Sequence, residues 1–289
     1  MAARKPVRQT GSSSEKEQVG LRRIVVGLDT SFMAREALAL AARVAASVDA
    51  GLRGVFVEDE NLLALSALPF AREVSFSGEV RALDEGAMLR AMQAQAETAR
   101  RILERVAADA HVQWSFDIAR GRPLASLAAA ATADDTLIIR AHAASRHEVG
   151  RAVRAATRDA RADVLLAARG VAVSGAFAPS VVPARQGVES SVRPLAAIDE
   201  GTSLGEGCSA FGESLARRIG APFRRIYARG FAASDVAVAA RNAGAGLIVV
   251  NAAWLGDDDD AARLSAAAGC PVLLLGGERG ANLKTPSKP

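Results

Sequence analysis

The sequence predicts an α/β fold in which a five-stranded parallel sheet is followed by a shortened, four-stranded copy. Three observations carry this expectation. Short continuous apolar runs, such as Ile24–Val26, Val55–Val57 and Leu137–Ile139, read as strands buried on both faces. They alternate with segments whose apolar residues recur at helical spacing, the order of a parallel sheet wrapped by helices. The pattern closes near Gly170 and begins again at Leu195.

Residues 1–20, rich in Ser, Lys and Glu, read as a disordered tail. From Arg23 to Asp59 the chain reads strand, turn, helix, strand. Ile24-Val25-Val26 leads into the turn Asp29-Thr30-Ser31, and Ser31 is a natural N-cap. Ala37, Leu38, Ala41, Val44, Ala45 and Val48 form the apolar stripe of the helix, and Val55–Val57 is the returning strand. The crossover of such a βαβ unit is right-handed, and the C-terminal end of its first strand, at Asp29, is where open sheets bind ligands.

Asn61 to Gly78 is expected as a short helix broken by Pro69 and followed by a covering loop, and Glu79 to Asp109 as one long helix. His111 to Ala119 alternates, with Val112, Trp114, Phe116 and Ile118 on one face. Gly121-Arg122-Pro123 opens a helix, since proline is favoured in the first turn. A strand at Leu137–Ile139, a helix from Glu148 to Arg161 and a strand at Val164–Leu166 complete a domain spanning residues 21–170. Residues 171–193, with Gly, Pro and Ser, read as a linker.

Leu195–Asp199 then echoes Val25–Asp29. A helix from Gly205 to Ile219 follows, and FRRIYARG, ending at Gly230, echoes FDIARG, ending at Gly121. After the helix AASDVAVAARNAG come the strand Leu247–Val250, a helix at Ala261–Ala268 and the closing strand in CPVLLLGG. One strand and the long helix have no counterpart, so residues 194–277 are a trimmed copy and 278–289 a second tail. The closing strands Val164–Leu166 and Val272–Leu275 are expected to pair the copies as an internal pseudo-dimer, which covers two open edges.

Composition excludes several classes. Half the residues are apolar and only 4% aromatic, which suits Ala-rich helices packed closely on a sheet. A net charge of +4, with Arg spread along the chain and no cluster of aromatics, does not describe a nucleic-acid binder. No window has the roughly 18 uncharged apolar residues of a membrane span. The N-terminal stretch lacks the apolar core of a signal peptide, so a cytoplasmic protein is expected. Cys208 and Cys270 show no CxxC spacing and read as incidental thiols of a reducing compartment. His142 and His147 do not have the spacing of a zinc helix, so no metal is expected. There is no GxSxG elbow, Walker loop or GxGxxG turn, and the chain is read as a non-enzyme.

The strand ending in Asp-x-Ser, the helix AREALALAARVAA, the strand GVFVED and the closing PVLLL resemble the universal stress protein family. The resemblance covers nearly all of residues 21–170 and, more weakly, 194–277. It implies a Rossmann-like fold, frequent dimerisation, and a role in stress tolerance rather than defined catalysis. One branch of the family binds ATP through the Asp after the first strand and a loop G-x2-G-x9-G-[ST] after the fourth. Glycines in such a loop let backbone N–H groups approach phosphates at a helix N-terminus.

Here the corresponding stretch reads RAHAASRHEVGR. Arg140 and residues around Ala143 replace the first two glycines, and Gly150 is followed by Arg151 instead of Ser or Thr. In the second copy the acidic run Asp257–Asp260 would repel phosphate. The expectation is therefore a regulatory or binding module without an intact ATP loop. The alternative is an adenine-nucleotide binder using Asp29 and the Arg140–Arg151 loop. The candidate nucleotide-binding residues are Asp29, Ser31, Val57, Arg140, Gly150 and Arg151. No cofactor is assigned, with ATP or AMP left open. The partner is a small anionic ligand or an unidentified protein, with a homodimer as an option beyond the pseudo-dimer. Arg151, Arg154, Arg158 and Arg161, spaced as one helical face, are read as a solvated surface.

Overall fold

A computed structural model describes residues 21–29, 31–74, 77–140, 144–167 and 192–277. The expected tails, most of the expected linker, and Thr30, His142 and Ala143 lie outside the described residues.

The first half, residues 21–167, runs β1 (Arg23–Leu28), α1 (Phe32–Val48), β2 (Gly51–Asp59), α2 (Glu60–Ser66), β3 (Arg72–Val74), β4 (Val80–Ala82), α3 (Glu85–Asp109), β5 (Trp114–Gly121), α4 (Pro123–Ala129), β6 (Asp135–Arg140), α5 (Arg146–Arg154) and β7 (Asp163–Ala167). The second half, residues 192–277, runs β8 (Leu195–Asp199), α6 (Ser203–Ile219), β9 (Phe223–Tyr227), α7 (Ala233–Asn242), β10 (Leu247–Asn251), α8 (Asp258–Ala268) and β11 (Val272–Leu275).

Nine of these strands form one sheet in the order β5-β2-β1-β6-β7-β11-β10-β8-β9. Every neighbouring pair is parallel except β7–β11, which is antiparallel with Leu165 opposite Leu273. The closing strands read from the sequence thus meet edge to edge. β6, β7, β10 and β11 are apolar through their middles and buried, as strands covered on both faces must be. One layer packs α1, α3 and α6 on one face of the sheet, through Ile24, Leu103, Leu165, Leu195 and Phe211. The other packs α4, α5, α7 and α8, through Leu127, Val149, Leu166, Val236 and Leu264. Both hydrophobic clusters run across the β7–β11 seam.

Several elements depart from expectation. The covering loop is a hairpin: β3 and β4 pair antiparallel, Glu73 opposite Arg81. The long helix starts at Glu85, because Asp84 accepts the Ala87 N–H at 2.6 Å and caps it there. The helix expected from Glu148 starts two residues earlier, in a capping box of Ser145 with Glu148. It ends in a π turn at Ala155–Asp159. That i→i+5 turn breaks the 3.6-residue repeat, so the regular spacing of the four arginines does not carry through to Arg161. Arg151 faces a crevice, Arg154 pairs with Asp258 of α8, and Arg161 lies past the helix with φ 55°. β9, whose sequence echoes β5, pairs directly with β8 and so takes the position that β2 holds beside β1.

The crevice at the end of β1 and β6

β1 is flanked by β2 on one side and β6 on the other, and the chain proceeds outward from it in both directions. This is a topological switch point, where the loops after adjacent strands diverge and leave a crevice at their C-terminal ends. The crevice is present, about 1230 Å³ in volume. Val55, Val57 and Leu127 contribute apolar surface to it, and Asp29, Arg122, Arg140 and Arg151 contribute charge.

Asp29 follows the last residue of β1, and Arg140 is the last residue of β6. Arg140 Nη2 donates to Asp29 Oδ2 at 2.7 Å, and the Ser31 N–H donates to Asp29 Oδ1 at 2.7 Å. Ser31 Oγ accepts the Ala34 N–H at 3.2 Å, capping α1, and also faces Arg140 Nη1 at 3.4 Å. Both carboxylate oxygens of Asp29 are therefore engaged. Burial alone would raise the Asp29 carboxyl, but the hydrogen bonds from Ser31 and the charge and hydrogen bond of Arg140 outweigh it and hold it below the usual carboxylate range.

Of the residues singled out from sequence, Asp29, Val57, Arg140 and Arg151 line the crevice, and Ser31 is tied to it by hydrogen bonds. Gly150 does not line it. That glycine is buried in α5 against α8, where a methyl group would overlap the backbone carbonyl of Asp258. It is a close-packing glycine, not part of a phosphate cradle. Sequence reading missed Arg122, Asp59, Glu148 and Asp159 of the lining. Arg122 had a signal, since it sits between the end of β5 and Pro123, on the same side of the sheet as Asp29. Among the described residues, three guanidiniums (Arg122, Arg140, Arg151) face four carboxylates (Asp29, Asp59, Glu148, Asp159), so this part of the lining has no surplus of positive charge.

The second half has the same kind of switch point, between β8 and β10. Its Asp199 is only 1% exposed. The carboxylate pairs with Arg225 of β9 and accepts the Gly201 N–H at 2.7 Å. α6 sits down on it so closely that a Cβ at Gly205 would lie 2.7 Å from Asp199 Oδ1. Asn251, ending β10 where Arg140 ends β6, is fully buried. The acidic run is structural: Asp257 and Asp260 form the capping box of α8, and Asp258 pairs with Arg154 of α5.

Among the described residues no group of three or more His, Cys, Asp or Glu could hold a metal ion. Among the described residues no helix is long and apolar enough to cross a membrane. Cys208 and Cys270 are free and buried, and burial pushes the Cys270 thiol up to about 11.

No protein-family model matches the chain, and no curated protein matches it at a significant level. Solved structures do. A universal stress protein from Archaeoglobus fulgidus DSM 4304 is 10% identical, with a TM-score of 0.58 over 90% of this chain and 98% of that one. A functionally unknown protein from Pseudomonas aeruginosa PAO1 is 16% identical, with a TM-score of 0.49 over 92% of this chain and 96% of that one. A universal stress protein in complex with cAMP is 18% identical, with a TM-score of 0.32 over 51% of this chain and 96% of that one. The protein has the universal stress protein fold.

Proposed function

We propose that the protein is a regulatory or binding module of the universal stress protein type, acting in the cytoplasm by holding a small anionic ligand rather than by catalysis. The observation that carries the reading is the crevice at the β1/β6 switch point, where Asp29, Arg140 and Arg151 meet an apolar floor. In this reading residues 21–170 are a complete domain that holds the site. Residues 194–277 are a trimmed domain that completes the sheet, and the antiparallel β7–β11 pairing supports their arrangement as an internal pseudo-dimer.

The charge balance of the lining argues against a triphosphate. With carboxylates outnumbering guanidiniums among the described lining residues, each further phosphate charge adds repulsion instead of a partner. The adenine-nucleotide reading is therefore kept for a monophosphate such as AMP, for which the apolar floor offers a surface to the base. The test is native mass spectrometry of freshly purified full-length protein, followed by calorimetry with ATP, ADP and AMP, with and without magnesium. A bound small molecule, or heat with AMP exceeding that with ATP, is the expected result. No bound mass and no heat with any of them would remove the reading.

A further inference from the structure

We propose that Arg140 is an anion-operated latch on Asp29: a single phosphate group entering the crevice draws the guanidinium away, and the freed carboxylate accepts a hydroxyl of the same ligand. The ligand class is thus a phosphomonoester with hydroxyl groups beside it, a sugar phosphate or a mononucleotide. The inference rests on the reading of the crevice as a ligand site and adds how that site opens and what it selects.

The geometry argues it in three steps. Each Asp29 oxygen already accepts a hydrogen bond, Oδ1 from the Ser31 N–H and Oδ2 from Arg140, and Arg140 adds a full opposite charge. A ligand hydroxyl competes with the guanidinium for Oδ2, the oxygen that Arg140 holds. The pair is also inexpensive to open. Asp29 is 46% exposed, so water reaches the carboxylate and screens its attraction to Arg140. Lastly, a receiver for the phosphate is in place. A guanidinium forms forked, bidentate bonds to phosphate that are stronger than neutral hydrogen bonds. Arg151 lines the same crevice and makes no ion pair within 4.0 Å among the described residues. In the second half Asp199 is buried beneath α6 and held by Arg225, so the exchange belongs to the first half.

The experiment is calorimetry with inorganic phosphate, ribose 5-phosphate and AMP on the full chain and on Asp29→Asn, Arg140→Gln and the double variant. Urea unfolding confirms that each is folded, and Arg140→Lys provides a charge-preserving second variant. Arg140→Gln is expected to lose at least tenfold in phosphate affinity, and Arg140→Lys to keep part of it. Asp29→Asn is expected to bind inorganic phosphate several-fold more tightly, because no pair has to open. It should also lose the preference for ribose 5-phosphate over phosphate. In the Arg140→Gln background the Asp29→Asn gain should vanish. A gain that persists there would mean simple charge repulsion and overturn the latch, as would unchanged binding by Arg140→Gln. Binding by the parent protein with no such coupling removes the latch alone, whereas no binding by the parent protein removes the site reading as well. AMP binding more tightly than ribose 5-phosphate would identify a nucleotide, and equal binding a sugar phosphate.

Discussion

Arg140 reaches across the switch point to Asp29, 2.7 Å away, and so ties the last residue of β6 to the residue that follows β1. The two strands diverge at this point, and the ion pair spans the mouth between them. Its acid dependence can be worked out. The Asp29 carboxyl is held below its ordinary value, so its contribution to stability is complete above the unfolded-state value, near 4, and is lost as pH falls through the lower folded value. Asp29→Asn should cost about 1 kcal/mol or less at pH 7, since the pair is partly exposed, and less still near pH 2. Urea denaturation at the two pH values measures this. An equal cost at both would show that charge is not the source.

Gly150→Ala should destabilise the protein by about 1–3 kcal/mol, the usual cost of forcing an atom into a packed contact. The methyl has nowhere to go, since the atom it meets is backbone of α8 and not a side chain that can swing aside. Thermal or urea unfolding checks it. An unchanged midpoint would show that α5 and α8 are not held at this separation.

Leu165→Ala should cost about 2–5 kcal/mol, as expected for deleting most of a buried leucine. Leu165 pairs with Leu273 across the seam and belongs to the cluster that joins the two halves. Because that cluster is shared, unfolding followed by far-ultraviolet circular dichroism and by Trp fluorescence should shift together. Separate transitions would mean that the halves unfold independently.

A chain ending after Ala167 leaves β7 as an apolar, unpaired edge, an arrangement prone to pairing with another copy. Such a fragment should be dimeric or larger by analytical ultracentrifugation. A stable monomeric fragment would contradict the role given to β11.

What was legible in the sequence was what depends on near neighbours. The apolar run of β1, the Asp29 turn and the Ser31 cap all follow from a dozen consecutive residues, and Pro123 opens α4 as read. The Arg140–Asp29 pair was not legible, because its partners are 111 residues apart and meet only through the β1–β6 register. Gly150 misled for a related reason. A glycine beside a strand end suits a phosphate loop and a tight helix crossing equally, and only the position of α8 decides. β3 and β4 are three residues each, too short to show the alternation that identifies a strand. The echo between β9 and β5 was real in sequence, yet pairing followed the open edge of β8.

The β7–β11 seam joins segments far apart in the chain, yet β7 is the fifth of nine strands and is therefore the farthest from either edge. Amide hydrogens there are shielded by helices on both faces and by strands on both sides. Protection against deuterium exchange should therefore rise toward Val164–Leu166 and Val272–Leu274 and fall toward β5 and β9. The place where the two halves meet would be the last to open.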